Sequence, residues 1–156
     1  MPGASDSASI VDKTSDAVGG EEGRYVLKFD VTAFGDKIYI PTGSTISTSS
    51  VDTNDGLSYA IENTDEDQIQ LNGAGLGSTT AAVSFTGDTS GGYYEVEEGQ
   101  TETFTLTISF VPAADGFFRA QLHGVNFNVG AAGSADTLQL ATPDEDYETD
   151  FVDIDV

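Results

Sequence analysis

The chain has 156 residues, with five Lys and Arg against 27 Asp and Glu, a formal net charge of −22 and no cysteine. This length suits a single domain with a sizeable core. The absence of cysteine excludes a disulfide framework and a thiolate metal site. An acidic surface repels phosphate groups and anionic lipid, and no apolar run is long enough to span a bilayer. We therefore expect neither nucleic-acid binding nor membrane insertion.

Residues 1–23 are rich in Ser, Ala, Asp and Gly and contain one apolar pair, Ile10-Val11. This composition predicts a flexible leader, followed by a β-sandwich domain over residues 24–156. The leader has neither the basic region nor the apolar region of a signal peptide. Because the edge of an open sheet accepts a strand from another chain, Ile10 and Val11 are candidate partner-binding residues that donate a strand to an adjacent copy. A plain tether is the alternative that the composition leaves open.

From residue 24 onward, apolar residues alternate with polar ones in short runs. A period of two predicts strands with one buried face. Turn residues separate the runs, and no window has a helical period. The predicted fold is therefore all-β, an antiparallel β-sandwich of about eight to ten strands. In the first strands the residues expected to face the core are Tyr25, Leu27, Phe29, Val31, Ile38, Ile40, Leu57, Tyr59, Ile61, Ala81, Val83 and Phe85.

An acidic loop at residues 52–56 is the candidate metal site. Its sequence is DTNDG, so Asp52, Asn54 and Asp55 supply two carboxylates and an amide oxygen within one turn. Calcium takes several such oxygen ligands from loops. The segment resembles the Asp-x-Asn-Asp core of cadherin calcium linkers, although Gly56 replaces the next Asn, and it does not fit the EF-hand pattern. Calcium is the one cofactor that the sequence suggests, and an Asx-type turn without metal is the alternative.

The longest alternation runs through residues 103–110. It places Phe104, Leu106, Ile108 and Phe110 on one face, with Thr and Ser on the other. In the following strand the inward parity changes, since Phe118, Ala120 and Leu122 give way to Val125 and Phe127. Gly124 lies at the switch, which predicts a β-bulge at that point.

Residues 93–127 resemble the later strands of bacterial and archaeal immunoglobulin-like domains of the CARDB-like, cell-surface kind. The shared motif is a Gly-x-Thr turn, an alternating Phe-Thr-Leu-Thr strand, a Pro, and a small-residue turn ending in Gly before an aromatic. Its positions are Gly99, Thr101, Phe104 to Thr107, Pro112, Gly116 and Phe117-Phe118. The resemblance implies an immunoglobulin-like sandwich that is secreted or displayed on a surface, where it spaces, adheres or assembles.

The residue types that catalysis needs are sparse. The single histidine, His123, shares the outward parity of Arg119, which favours an exposed position on a strand face. Neighbouring carboxylates arise by chance among 27 acidic residues and do not indicate a glycosidase. Tyr93-Tyr94 and Phe117-Phe118 each place one ring inward and one outward, and an exposed ring can stack on a sugar. We therefore predict no enzyme activity, and a glycan remains a candidate partner.

These observations predict a non-enzymatic structural or adhesive module at the cell surface or outside the cell. Its expected partners are other surface proteins or copies of itself, and a subunit of a surface appendage or filament belongs to this class. The alternative is an accessory domain that binds carbohydrate and depends on calcium.

Overall fold

The structure is a computed structural model of the chain. It describes residues 5–13, 20–46, 55–65, 77–132, 138–141 and 147–156. Within these ranges there is no helix with the length and apolarity needed to cross a membrane. The described residues form twelve strands: β1 (Ser5–Lys13), β2 (Gly20–Thr32), β3 (Ile38–Pro41), β4 (Gly43–Ile46), β5 (Asp55–Asn63), β6 (Gly77–Phe85), β7 (Asp88–Ser90), β8 (Tyr93–Val96), β9 (Thr101–Pro112), β10 (Gly116–Val129), β11 (Leu138–Ala141) and β12 (Val152–Ile154).

The strands form two sheets around one core. The four-stranded sheet has the order β1-β2-β9-β6, and the eight-stranded sheet has the order β4-β5-β10-β3-β8-β7, with β11 and β12 also paired to β10. Strands β4 and β5 run parallel, and the other pairs of strands are antiparallel. Strands β7 and β12 have only three residues each, which leaves ten longer strands. The all-β sandwich predicted from the sequence is confirmed.

The two central strands of the four-stranded sheet show why the alternation predicts their faces. Strands β2 and β9 pair without a break from Gly23 opposite Phe110 to Thr32 opposite Thr101. Tyr25, Leu27 and the even-numbered apolar residues of β9 from 104 to 110 are almost completely buried. Because side chains alternate between faces, the intervening Thr and Ser residues lie on the solvent side.

An aromatic cluster joins the two sheets inside the core. Phe104 lies at its centre and stacks on Phe29, with ring centroids 5.4 Å apart. Its ring also contacts Phe85 at 4.5 Å and meets the edge of Tyr94 at 5.3 Å. Tyr94 belongs to β8 of the eight-stranded sheet, so these contacts bridge the sheets, and offset or edge-to-face ring pairs stabilise such a contact beyond area burial.

Strand β10 carries the predicted bulge. Leu122 pairs with Tyr59 and Gly124 with Ser58, so His123 is the extra residue on the β10 side. Before the bulge Phe118 and Leu122 are buried, and after it Val125 is buried on the new parity. The change of parity in the sequence is therefore the result of one inserted residue, as expected for a β-bulge.

The segment predicted to be a leader contains strand β1, and β2 begins at Gly20, before the predicted domain boundary at residue 24. Strand β1 pairs antiparallel with β2, which places Ile10 opposite Gly23 and Val11 opposite Glu22. Ile10 and Val11 therefore pair within their own chain through one side of the strand. Strand β1 forms one edge of the four-stranded sheet, and its other side faces outward from that sheet.

The chain passes from one sheet to the other between β9 and β10. Residues 113–115 make this connection, since β9 belongs to the four-stranded sheet and β10 to the eight-stranded sheet. Across the connection Phe110 packs edge-on against Phe118, with centroids 5.1 Å apart. At the other end of β9, Gly99 has φ +78°, a left-handed conformation that favours glycine in the turn leading into the strand.

Candidate functional site

The most distinctive surface is the solvent side of three strands of the four-stranded sheet, β2, β9 and β6, which we call the hydroxyl face. Strands β2, β9 and β6 form it in the described structure, and most of its side chains are half-buried or exposed hydroxyls. Its residues are Glu22, Arg24, Val26, Lys28, Asp30 and Thr32 from β2, Thr101, Thr103, Thr105, Thr107, Ser109 and Val111 from β9, and Ser78, Thr80, Ala82 and Ser84 from β6.

Cross-strand rows order the hydroxyl face. One row is Lys28, Thr105 and Ser84. Another, which begins four residues earlier in β2, is Arg24, Ser109 and Thr80. In antiparallel sheets such directly opposed residues lie close enough for their side chains to contact one another. The rows therefore form a regular array of hydroxyls, and in two of the rows the residue on β2 is a cation.

Hydrogen bonds within the hydroxyl face link neighbouring strands. The Thr103 hydroxyl donates to the Asp30 carboxylate at 2.7 Å, and the hydroxyls of Thr32 and Thr101 are 2.7 Å apart. Both pairs lie across β2 and β9 in the same register. The face is consequently tied together near its Asp30 end, while Arg24 and Lys28 stay exposed.

The hydroxyl face differs in charge from the chain as a whole. Its ionisable residues are two acids, Glu22 and Asp30, and two bases, Arg24 and Lys28, so its formal charge is zero. The whole chain carries −22. The acidic charge must then be concentrated on other surfaces and loops, which leaves this face as an area where another acidic molecule meets little repulsion.

Elsewhere, two of the remaining cations each bind two carboxylates. Lys37 Nζ lies 2.8 Å from Glu95 and 2.5 Å from Glu97. The hydrogen bond to Glu95, and then that to Glu97, hold the pKa of Lys37 above its ordinary value. Lys37 also lies 5.2 Å from the centre of the Tyr39 ring. These contacts hold Lys37 in a surface cluster with Glu95, Glu97 and Tyr39.

Arg119 forms the second cluster on β10. Its guanidinium contacts Glu62 at 2.9 Å and Glu148 at 3.0 Å, and lies 4.7 Å from the centre of the Phe151 ring. Glu62 is buried and its partner is only partly exposed, so the pair is screened less than a surface ion pair. The cluster ties β5, β10 and the C-terminal segment together and is best explained as structural.

A small cleft of about 220 Å³ opens between the sheets. Apolar side chains line most of it, with Asp30 and Thr32 on the β2 side; the apolar residues are Phe29, Val31, Ile38, Ile40, Leu122, Val125, Phe127 and Tyr147. Several of these residues are also part of the core. The cleft has the chemistry of an incompletely filled core and offers few polar groups to orient a ligand.

The candidate calcium ligands lie largely outside the described part of the chain. Asp52 and Asn54 fall outside it, and Asp55 is described as the first residue of β5, paired with Gly43. The described residues contain no group of three or more His, Asp or Glu placed to hold a metal ion. The calcium site therefore stays a prediction.

The Phe117-Phe118 pair shows the expected division between inside and outside, whereas Tyr93 and Tyr94 are both half-buried. Phe118 is buried while Phe117 is 51% exposed. Tyr94 packs into the aromatic cluster, whereas Tyr93 meets the edge of Tyr39 at 6.2 Å and 88°. A perpendicular pair gives no flat platform for a sugar ring, so of these two pairs the exposed ring of Phe117 is the better stacking candidate.

The sequence predicts the alternating hydroxyls of β9, but it does not predict that they form one surface with residues of β2 and β6. The cationic rows come from β2, and the hydroxyls of β6 complete them from the opposite side. His123, half-buried at the bulge, has no acid beside it in register, since the ladder skips from Leu122 to Gly124.

Comparison with protein-family models, with curated proteins and with solved structures gives no match for this chain.

Proposed function

We propose that this protein is a non-enzymatic structural or adhesive module of the cell surface or extracellular space. In this role it assembles with copies of itself or with other surface proteins, as a subunit of an appendage or filament does. The immunoglobulin-like character implied by residues 93–127 belongs to the same proposal. The observation that carries it is the hydroxyl face, a surface without net charge on a chain of charge −22.

The physical argument is one of repulsion and desolvation. Two copies that each carry −22 repel one another wherever their acidic surfaces meet. Contact through a face without net charge avoids most of that cost. Its central strand, β9, presents only uncharged side chains there, and depletion of charge is typical of the centres of protein interfaces. Hydroxyls can also exchange water for a partner's hydrogen-bonding groups without leaving a buried charge unpaired.

The test is self-association of the full chain by sedimentation velocity, over a range of concentrations and from 0.1 to 1 M NaCl. Association should strengthen with salt, because salt screens the remaining repulsion. The variant Thr105→Glu/Thr107→Glu, which places two acids at the centre of the face, should associate less. Thr89→Glu/Ser90→Glu, on the exposed strand β7, is the charge-matched control. A chain that stays monomeric at every salt and concentration would contradict the proposal.

The alternative function, calcium-dependent carbohydrate binding, is favoured by one observation. Phe117 presents a half-exposed ring on the surface of the eight-stranded sheet. A glycan array with and without calcium tests it, with Phe117→Ala as the variant that should lose binding. Binding that survives this substitution, or an array without signal in either condition, would remove the alternative.

A further inference from the structure

Strand β6 forms an edge of the four-stranded sheet, and in the described part of the chain no strand is hydrogen-bonded to its outer side. The strand is nine residues long and reads GSTTAAVSF, with no charge and no proline. It pairs with β9 without a break from Gly77 opposite Pro112 to Phe85 opposite Phe104. Such an edge presents a row of backbone donors and acceptors that another strand can pair with.

The other sheet edges carry the features that usually prevent such pairing. Strand β1 contains Asp6, Asp12 and Lys13. Strand β7 has three residues and begins with Asp88, and β4 has only four residues. Short length and charge are the common protections of an edge strand, and β6 has neither. This difference indicates that β6 is an edge adapted to a partner.

The core-facing side of β6 is also incompletely covered. Ala81, Val83 and Phe85 pack against the core but are only partly buried. Thr79, on the same side, reaches across to Tyr59, with their hydroxyls 2.9 Å apart. A strand added beside β6 would cover this apolar flank, which favours pairing because burial of apolar surface is stabilising.

We propose that β6 pairs antiparallel with β6 of a second copy, around a two-fold axis at Ala81. The proposal rests on the proposed function, because it requires self-association, and it adds an edge contact that leaves the hydroxyl faces of both copies open for further assembly. This register pairs every residue of the strand, with Thr80 opposite Ala82 of the other copy. It forms roughly nine backbone hydrogen bonds, since an antiparallel ladder provides about one per residue pair.

A second copy fits the edge better than a charged partner strand. The β6 residues are uncharged, so no like charges meet in the new ladder. The two four-stranded sheets would join into one sheet, with the two hydroxyl faces side by side. Two-fold pairing is self-complementary and closes at the dimer.

The experiment uses the full chain at 0.5 M NaCl and measures mass against concentration by sedimentation equilibrium. In the proposed register, Thr80→Glu/Ala82→Glu brings two pairs of like charges directly opposite one another. The dimer should weaken by about tenfold, which corresponds to about 1.4 kcal/mol for the two like-charge pairs together. Thr80→Lys/Ala82→Glu places Lys opposite Glu twice at unchanged net charge and should keep the dimer. An equal mixture of Thr80→Glu/Ala82→Glu with Thr80→Lys/Ala82→Lys should form a mixed dimer.

Circular dichroism and cooperative melting first confirm that each variant is folded, and Thr89→Glu/Ser90→Glu on β7 controls for added acid elsewhere on the chain. Because Thr80 and Ala82 also lie on the hydroxyl face, Thr105→Glu/Thr107→Glu, which adds two acids to that face away from its β6 edge, is the matched control. If it weakens the dimer as much as Thr80→Glu/Ala82→Glu does, the copies meet through the face and the edge pairing is overturned. If the wild type associates and Thr80→Glu/Ala82→Glu associates equally well, the inference fails while the proposed function stands. If the Lys/Glu variant is as weak as the Glu/Glu variant, the two-fold register is wrong. Mass that grows beyond the dimer and depends on residues 1–13 would assign the edge to β1 of the next copy and overturn the proposal. A wild type that never associates would contradict the proposed function itself.

Discussion

The hydroxyl of Tyr25 is a buried link between the two sheets, and its removal gives a prediction with two readouts. The side chain is fully buried on β2, and its hydroxyl donates to the carbonyl of Phe118 on β10 at 3.0 Å. Replacing Tyr25 with Phe keeps the ring and removes only this donor. The packing is preserved, so the cost is that of the hydrogen bond and of a buried carbonyl that loses one partner.

We expect Tyr25→Phe to lower the free energy of unfolding at pH 7 by about 1–2 kcal/mol, since a net hydrogen bond contributes about 1 kcal/mol and a buried carbonyl that loses its donor adds to the cost. For a chain of this size that corresponds to a fall in Tm of roughly 2–8 °C. The matched control is Tyr59→Phe. Its hydroxyl contacts Thr79 in a partly buried position, so the loss should be smaller.

The second readout is stability at alkaline pH. Burial raises the pKa of Tyr25 above its ordinary value, and burial also raises those of Tyr59 and Tyr94. Above pH of about 10 a tyrosine in the unfolded chain loses its proton while the buried one keeps it. The unfolded state then binds fewer protons, so stability is full below that pH and falls as the pH rises further.

Each such tyrosine contributes a slope of up to about 1.4 kcal/mol per pH unit. Tyr25→Phe should therefore be less stable than the wild type at pH 7 but lose stability less steeply above pH 10. Urea unfolding followed by circular dichroism from pH 7 to 11 measures both effects. A change below about 0.5 kcal/mol at pH 7, the lower end for a net hydrogen bond, would refute the reasoning about the inter-sheet link. An unchanged alkaline slope would refute the reasoning about burial.

Two further predictions concern ions. The Tm should rise by a few degrees between 0.05 and 1 M NaCl, because salt screens the self-repulsion of a chain that carries −22. Differential scanning calorimetry measures this shift. A Tm that stays constant or falls would show that charge repulsion does not destabilise the fold. If Asp52 and Asp55 form a calcium site, millimolar CaCl₂ should raise the Tm more than MgCl₂ does at equal ionic strength, because a ligand that binds only the folded state stabilises it. The variant Asp52→Asn should abolish this difference between the two ions. Equal effects of the two ions would leave only diffuse screening.

The period-two pattern predicts which way residues face but not which strands pair. Phe104 and Leu106 are buried as their alternation predicts, and the bulge at His123 follows from the change of parity in β10. The pairing of β9 with β2 on one side and with β6 on the other could not be predicted, because alternation is the same whichever strand lies alongside.

Buried polar residues are the clearest failure of the pattern. Ser58, Gln121 and Asn126 lie at polar positions of the alternation in β5 and β10, yet they are buried. A period of two in the sequence predicts that one face of a strand is buried. It does not show whether other segments of the chain bury the second face as well. The hydroxyl face was missed for a related reason, since its neutrality depends on three strands from distant parts of the chain.

The pairing of β2 with partners late in the chain has a consequence for synthesis and folding. Tyr25 and the Phe118 carbonyl that it bonds are separated by 93 residues. At about 5–20 residues per second, a ribosome needs roughly 5–20 seconds to add that length. For most of this interval, until β9 (Thr101–Pro112) is made, β1 is the one strand present of the two that pair with β2 in the sheet. Early pairing with β1 would satisfy the backbone hydrogen bonds on one side of β2 and keep that side from pairing with other nascent chains. The N-terminal hairpin would therefore reduce misassembly until β9 is made.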